Sequence, residues 1–231
     1  MRLVSFAHNG ATHIGTLQSR NEGQSVLDLN RAEPRLPTDM IEFLKTGEPA
    51  HRLAEEALAT AQSSDELDLS SVTLKAPVPR PGKIICIGLN YRDHAAEANL
   101  PIPEYPTVFS KYSNTVIGPG QPIVIPRVTD RVDYEGELAV VIGARARYVS
   151  QEAALEYVAG YLPFNDVSAR DFQMRTSQWT IGKTFDTFAP MGPALVTADE
   201  IPDPHHLDMR VTVQCKAVTV RGLSPLPIYP A

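Results

Sequence analysis

The chain has 231 residues, of which 43% are hydrophobic and 21% charged, proportions typical of a globular protein with a packed core. A net charge of −6 without a long basic run argues against a nucleic-acid surface, and no apolar run reaches the about 20 residues needed to cross a bilayer. Cys86 and Cys215 are far apart in the sequence, so no disulfide framework is indicated. We therefore expect a cytoplasmic or mitochondrial-matrix protein that binds neither nucleic acid nor membrane.

The first part of the chain, residues 1–74, is predicted to be a small domain with strands and helices. Its N-terminal residues have the composition of short strands, and Asn9-Gly10 is a typical two-residue hairpin turn. A short helix is predicted between Asp39 and Gly47, because aspartate caps helix N-termini and glycine ends helices. A second helix is predicted from apolar residues at helical spacing: Leu53, Ala54, Ala57, Leu58 and Ala61.

Prolines two residues apart mark residues 75–82 as an extended linker, because proline breaks helices and central strands. Residues 83–214 are predicted to form a catalytic-type domain, and residues 215–231 an atypical tail. The segments in the second domain with the composition of strands are KIICIG, TVFSKY, PIVIP, GELAVVIGA, YVAGYLPFND, MGPALV and LDMRVTVQ. The helical candidates are residues 93–98, 151–157 and 169–175. The predicted fold class is α+β, mainly β.

The segment DYEGELAVVIG opens with three acids at alternate positions, Asp133, Glu135 and Glu137. Alternate residues of a strand point to one side, so these carboxylates are expected to share a face beside an apolar run. Two interpretations are open. The acids pair with neighbouring arginines at an exposed strand end, which this segment alone favours, or Glu135 and Glu137 bind a hard divalent cation. Asp166 also follows an apolar strand and is the candidate third ligand.

Two further segments carry polar residues suited to catalysis. His94 and Glu97 are three residues apart and share a face on a predicted helix, where they form either a general base with its orienting carboxylate or a surface contact. Lys183 follows an Ile-Gly pair and either binds a substrate oxyanion or caps a surface. Ser168 and Asp171 have the spacing of a helix capping box.

Together these stretches resemble the fumarylacetoacetate hydrolase family, in its branch that processes 2-oxo acids. The resemblance rests on the order of six segments: KIICIGLNYRDHAAE, PTVFSKYSNTVIGPG, DYEGELAVVIG, YVAGYLPFNDVSARDFQ, GKTFDTFAPMGPALV and IPDPHHLDM. It spans about residues 75–213, and the N-terminal part is similar to the family's small leading domain. It implies a mixed β-sandwich roll that forms a homodimer.

The resemblance also implies roles for individual residues. Glu135, Glu137 and Asp166 match the family's metal-binding carboxylates, which hold Mg²⁺, Mn²⁺ or Ca²⁺. The remaining matches are His94 and Glu97 as the pair that activates water or moves a proton, Lys183 as the lysine that faces the oxyanion, and Arg170 and Gln173 as substrate contacts. Asp133 matches no ligand of the family and is expected to lie behind the site or at the surface.

The implied reaction is hydrolysis of a C–C bond in a small β-diketo or 2-oxo acid through a metal-stabilised enolate. Decarboxylation of an oxaloacetate-type substrate, or isomerisation of an oxo acid, is the alternative on the same site. The resemblance ends near Gln214, and the tail CKAVTVRGLSPLPIYPA lacks the Gly-rich loop expected of the family. A further alternative is therefore an impaired variant that binds only metal or a full-length partner.

Overall fold

The computed structural model describes residues 1–20, 23–91, 95, 99, 101–213 and 216–220. The strands are β1 Arg2–His8, β2 Ala11–Arg20, β3 Gly23–Asp28, β4 Glu66–Asp68, β5 Thr73–Leu74, β6 Ile84–Gly88, β7 Thr107–Lys111, β8 Val116–Ile117, β9 Val132–Asp133, β10 Gly136–Ile142, β11 Val158–Asn165, β12 Ser168–Ala169, β13 Ala189–Pro190, β14 Leu195–Thr197, β15 Met209–Val213 and β16 Lys216–Val220. The α-helices are α1 Leu29–Ala32, α2 Met40–Thr46, α3 Glu48–Thr60, α4 Arg170–Gln173 and α5 Thr180–Lys183. Short 3-10 helices are Ser63–Asp65, Leu69–Ser71, Ser113–Thr115, Ala154–Tyr157, Ala198–Glu200 and Pro204–His206.

The largest sheet has eight strands and contains residues from both sides of the proline-rich segment. Its order is β10-β11-β14-β1-β2-β3-β4, and β5 also pairs with β1. The short strand β14 lies between β11 and β1, with Leu195 opposite Leu3 and Val196 opposite Tyr161. The predicted division into domains stays a prediction.

The first hairpin has the predicted turn. Strands β1 and β2 pair antiparallel from Leu3 opposite Thr16 to His8 opposite Ala11. Asn9 and Gly10 both have positive φ, 47° and 81°, which is the conformation that a two-residue hairpin loop requires.

The two predicted N-terminal helices are also confirmed. The Asp39 carboxylate accepts hydrogen bonds from the Ile41 and Glu42 amides at 2.9 and 3.1 Å, and α2 ends at Gly47, whose φ is 66°. Helix α3 buries a face of small residues, Ala50, Ala54 and Ala57, in the apolar core. Together the helices and the sheet form the main apolar core, which includes Leu3, Ile14, Leu29, Phe43, Ala50, Ala54, Ala57, Leu162, Phe164 and Leu195.

Four two-stranded sheets complete the β structure. Strands β6 and β7, β9 and β12, and β15 and β16 pair antiparallel, whereas β8 and β13 pair parallel. This architecture confirms the predicted class, mainly β with a few short helices. Among the described helices, none combines the length and apolar character needed to span a membrane.

Some local predictions are wrong. Residues 122–126, PIVIP, form no strand, and the side chains of Val124 and Ile125 are 57% and 63% exposed. A proline at each end removes backbone donors, which disfavours pairing with another strand. The helix predicted at 151–157 is reduced to the 3-10 turn Ala154–Tyr157, and that at 169–175 to α4. The candidate at 93–98 lies outside the described residues except for residue 95.

Candidate active site

Three carboxylates meet at one end of the β10–β11 pair. Glu137 lies in β10, Glu135 directly precedes this strand, and Asp166 directly follows β11. The antiparallel register places Gly136 opposite Asn165, and the Asp166 amide donates to the Glu135 carbonyl at 2.9 Å. One oxygen from each of the three carboxylates lies within 4.8 Å of the others. The pairing of two strands thus brings together the three acids predicted as ligands.

Burial gives this cluster unusual electrostatics. The Asp166 side chain is fully buried, and that of Glu135 is 15% exposed. Burial, together with the charges of Asp166 and Glu135, raises the pKa of Glu137 to about 8. Carboxylates this close in a low-dielectric environment repel one another, so the cluster needs positive charge nearby.

Lys183 and Arg170 supply part of that charge. The Lys183 ammonium lies 2.9 Å from Glu135 Oε2 and 2.7 Å from Asp166 Oδ2. The Arg170 guanidinium contacts Glu135 and also pairs with Asp133 at 2.8 Å. Although burial opposes ionisation of Glu135, these two cations outweigh it and lower its pKa. The charged partners of Glu135 are therefore Lys183 and Arg170, and Asp133 lies at the surface, where it pairs with Arg170.

Lys111, at the end of β7, is a site residue that the sequence reasoning missed. Its buried ammonium lies 2.6 Å from Asp166 Oδ1 and 3.0 Å from the Val167 carbonyl. Burial lowers its pKa, and the charge of Asp166 opposes this shift. The signal in the sequence was a lysine at the end of an apolar strand. A lysine is seldom buried unless it is paired, so one at this position points to a buried acidic partner.

Hydrogen bonds around Ser168 correct the predicted capping box. The Ser168 hydroxyl donates to the Asp166 carbonyl at 2.9 Å and lies 3.3 Å from Glu135 Oε1, and Ala169 is the N-cap of α4. Asp171 instead accepts a hydrogen bond from the Thr129 hydroxyl at 2.5 Å. Ser168 therefore belongs to the carboxylate cluster and does not cap the helix.

Gln173 and Arg170 lie on one side of the cluster. The Arg170 guanidinium donates to the Gln173 side-chain oxygen at 3.1 Å, and Gln173 is buried. Arg170, with a side chain 29% exposed, is the more accessible of the two. Of the two predicted substrate contacts, Arg170 thus adjoins Glu135, and Gln173 adjoins Arg170.

Aromatic side chains form another wall. The Lys183 ammonium lies 5.0 Å from the Phe109 ring centroid, and Trp179 packs edge-on against Phe109 at 5.6 Å. A β-carbon on Gly88 would lie 2.2 Å from the Trp179 ring, so a residue without a side chain is required at that position. The predicted His94 and Glu97 lie outside the described residues.

An apolar cavity of about 770 Å³ adjoins the carboxylates along β10. Glu137 lines it together with Tyr91, whose hydroxyl accepts a hydrogen bond from the Leu138 amide at 3.4 Å. Its volume lies within the range of small-molecule sites in proteins, about 300–1,000 Å³. Glu137 thus connects the acidic cluster to a space large enough for a small organic molecule.

The chain matches a known protein family over most of its second part. Residues 83–222 match the family described as fumarylacetoacetate (FAA) hydrolase C-terminal. The chain belongs to the fumarylacetoacetate hydrolase family. This family match extends beyond Gln214, where the resemblance was expected to end.

A bovine (Bos taurus) relative of this family member is named oxaloacetate tautomerase FAHD2A, mitochondrial. It is 49% identical over 211 residues, which cover 90% of this chain and 66% of the relative. The chain therefore spans just under two thirds of the relative's length.

Two solved structures of the family share the fold. Maleylpyruvate hydrolase from Sphingobium sp. SYK-6, in complex with manganese(II) ion and pyruvate, is 29% identical, with a TM-score of 0.74 over 94% of this chain and 75% of that one. Fumarylacetoacetate hydrolase from Exiguobacterium antarcticum is 29% identical, with a TM-score of 0.75 over 99% of this chain and 79% of that one. These likenesses confirm the fold expected from the family resemblance.

The three carboxylates suit a hard divalent cation. They offer only oxygen donors, which Mg²⁺, Mn²⁺ and Ca²⁺ prefer. Oxygens bound to an octahedral ion at about 2.1 Å lie about 3–4 Å apart, and the oxygens here lie within 4.8 Å of one another. The donor set therefore fits such an ion after small side-chain movements.

Proposed function

We propose that this protein is a divalent-metal-dependent enzyme that interconverts the keto and enol forms of oxaloacetate. The observation that carries the proposal is the buried cluster of Glu135, Glu137 and Asp166, with the ammonium of Lys183 against two of the three carboxylates. The bovine relative's name, at 49% identity, supports the choice of oxaloacetate and of tautomerisation.

Glu135, Glu137 and Asp166 are proposed to hold the cation, for which Mg²⁺, Mn²⁺ and Ca²⁺ are candidates. When bound there, a divalent cation polarises a carbonyl and so makes the neighbouring C–H more acidic. The Sphingobium family member, solved with manganese(II) and pyruvate, supports a metal and a 2-oxo acid as partners of this fold.

The chain's own residues have separate proposed roles. Lys183 places positive charge where the carbonyl oxygen gains negative charge as the enol forms. Arg170 and Gln173 bind and orient a substrate carboxylate, for which a guanidinium is well suited. His94 and Glu97 are assigned the transfer of one proton between C3 and the C2 oxygen. The keto and enol forms differ only in the position of this proton and of one double bond, so no atom is gained or lost.

The proposal is tested by following the ultraviolet absorbance of enol-oxaloacetate as it converts to the keto form. We expect Mn²⁺- or Mg²⁺-dependent acceleration that EDTA abolishes and that Glu137→Gln reduces at least a hundredfold. The matched control is Glu55→Gln, at an exposed glutamate of α3, which should keep the wild-type rate. A rate equal to that of the buffer with metal alone would contradict the proposal.

Hydrolysis of a C–C bond in an acylpyruvate is the second candidate, favoured by the fold shared with maleylpyruvate hydrolase. It consumes one water and releases two acids, whereas decarboxylation of oxaloacetate releases carbon dioxide. Product analysis by NMR with acylpyruvate and oxaloacetate separates these reactions from tautomerisation. Metal binding without turnover of either substrate would instead favour the further alternative, in which this chain is an impaired variant that binds metal but does not catalyse a reaction.

We also propose a homodimer in the mitochondrial matrix. Exposed apolar side chains of residues 123–128, among them Val124, Ile125 and Val128 at 57–63% exposure, supply surface for self-association. The bovine relative is named as mitochondrial, which supports the compartment. Light scattering after size exclusion and organelle fractionation test the two statements, and a monomer or a cytosolic fraction would contradict them.

A further inference from the structure

Lys111 is the most completely buried cation of the carboxylate cluster. Its side chain is 0% exposed, compared with 2% for Lys183 and 29% for Arg170. Placing an ammonium group in the protein interior is strongly unfavourable unless it is paired and hydrogen-bonded. The groups that pair with Lys111 must therefore offset the free energy of burying its charge.

The Lys111 ammonium holds two consecutive residues. It donates to Asp166 Oδ1 at 2.6 Å and to the Val167 carbonyl at 3.0 Å. The Asp166 amide is tied to the Glu135 carbonyl at 2.9 Å. Backbone and side chain of Asp166 are thus both fixed where the chain leaves β11.

The two oxygens of Asp166 face different cations. Oδ1 accepts from Lys111, whereas Oδ2 accepts from Lys183, which also contacts Glu135. With Oδ1 held by Lys111, Oδ2 lies on the side of Lys183, whose ammonium also contacts Glu135. A carboxylate oriented in this way presents one oxygen to an ion placed among the three.

We propose that Lys111 is a positioning residue of the metal site, which orients Asp166 through Oδ1 so that its other oxygen faces the divalent cation. This inference rests on the proposed function, because it requires that the three carboxylates bind a metal. Partners that orient a ligand without touching the metal typically contribute about 10–100-fold to metal affinity. Lys111 acts on the metal through Asp166.

The test is the dissociation constant of Mn²⁺, measured by calorimetry and by electron paramagnetic resonance of free and bound Mn²⁺. The variants are Lys111→Met, which removes the charge, and Lys111→Gln, which keeps a donor but not the charge. The matched control is Lys75→Met, at a lysine whose ammonium contacts the Thr12 hydroxyl away from the cluster. Circular dichroism and thermal melting establish that each variant is folded.

We expect both Lys111 variants to bind Mn²⁺ at least tenfold more weakly, with an altered spectrum of the bound ion, and Lys75→Met to bind as the wild type does. Lys111→Arg, which keeps charge and donors, should recover part of the affinity. If Lys111→Met fails to fold, the dissociation constant of Mn²⁺ for Lys111→Gln is the deciding measurement. A role in stability alone would lower the melting temperature without changing the dissociation constant or the spectrum.

Two negative outcomes are distinguishable. Absence of Mn²⁺ binding in the wild type, or binding that Glu135→Ala leaves unchanged, would contradict the proposed function itself. Glu135-dependent binding in the wild type, with a dissociation constant within about twofold in folded Lys111→Gln, would overturn only the role assigned to Lys111.

Discussion

The apolar core under α1, α2 and α3 and the charged cluster at the end of β10 and β11 are both buried, but they are stabilised differently. In the core, the buried polar side chain of α1, Asn30, accepts from the Ile14 amide at 2.8 Å and donates to the Leu36 and Pro37 carbonyls. In the cluster, buried carboxylates and ammonium groups face one another. Burial of apolar surface favours folding, whereas burial of charge opposes it unless every charge is paired. The comparison indicates that the stability of the cluster depends on its ion pairs, whereas that of the core depends on apolar burial.

The largest expected effect is that of Asp166→Ala, which leaves the buried Lys111 and Lys183 without a shared counter-ion. Removing one partner of a buried ion pair costs about 3–5 kcal/mol, so we expect a loss of this size in the free energy of unfolding. Urea denaturation measures it. The exposed Asp208→Ala is the control and should stay within about 0.5 kcal/mol of the wild type. Equal effects of the two substitutions would contradict the conclusion that buried ion pairs stabilise the cluster.

Leu29→Ala tests the apolar side of the comparison. Leu29 is fully buried in α1, and deleting its side chain should lower the free energy of unfolding by about 3 kcal/mol through lost burial and a cavity. Leu29→Met, similar in volume, should cost less than about 1.5 kcal/mol. Folded Leu29→Ala should bind Mn²⁺ as tightly as the wild type, and weaker binding would show that the two regions are coupled.

Adding metal should stabilise the charged region selectively. At a Mn²⁺ concentration of 100 times the dissociation constant, a single site raises the free energy of unfolding by about 2.7 kcal/mol. Thermal shift with Mg²⁺ or Mn²⁺, with and without oxalate as an enolate mimic, measures this stabilisation. Glu135→Ala should remove it, whereas Leu29→Ala should retain it. An unchanged metal response in Glu135→Ala would contradict the metal site.

The smallest effect is expected at the N-terminus of α2, on the apolar side. Asp39→Ala removes the acceptor for two helix amides and should cost about 1 kcal/mol. Asp39→Ser, which keeps a capping oxygen, should lie close to the wild type in urea denaturation. A cost of several kcal/mol for Asp39→Ala would mean that the cap supports more than the local helix.

The apolar region was largely predictable because its signals are local. The Asn9-Gly10 turn, the Asp39 cap and the spacing of Ala54 and Ala57 each act within a few residues. The cluster was only partly predictable, because its contacts join distant segments. Lys111 reaches Asp166 across 55 residues, and no local pattern encodes that contact.

The error at the predicted capping box has the same cause. Ser168 and Asp171 have the spacing of a capping box, but Ser168 is drawn to the Asp166 carbonyl and Asp171 to Thr129. Tertiary partners thus override a local motif. The grouping of Glu135, Glu137 and Asp166 was implied by the family resemblance, and the pairing of β10 with β11 brings the three acids together.

The position of β1 in the largest sheet has a consequence for folding kinetics. Strand β1 pairs on one edge with β2, whose partner residues lie 3 to 13 positions further along the chain. Its other edge pairs with β5 and with β14, where Arg2 faces Val196. During synthesis, the edge of β1 that receives β14 must wait until the chain has been made as far as Val196. Contacts of such sequence separation slow folding, because a long loop must close before they form. Strand β1 can thus form its hairpin with β2 early, whereas its pairing with β14 must come late.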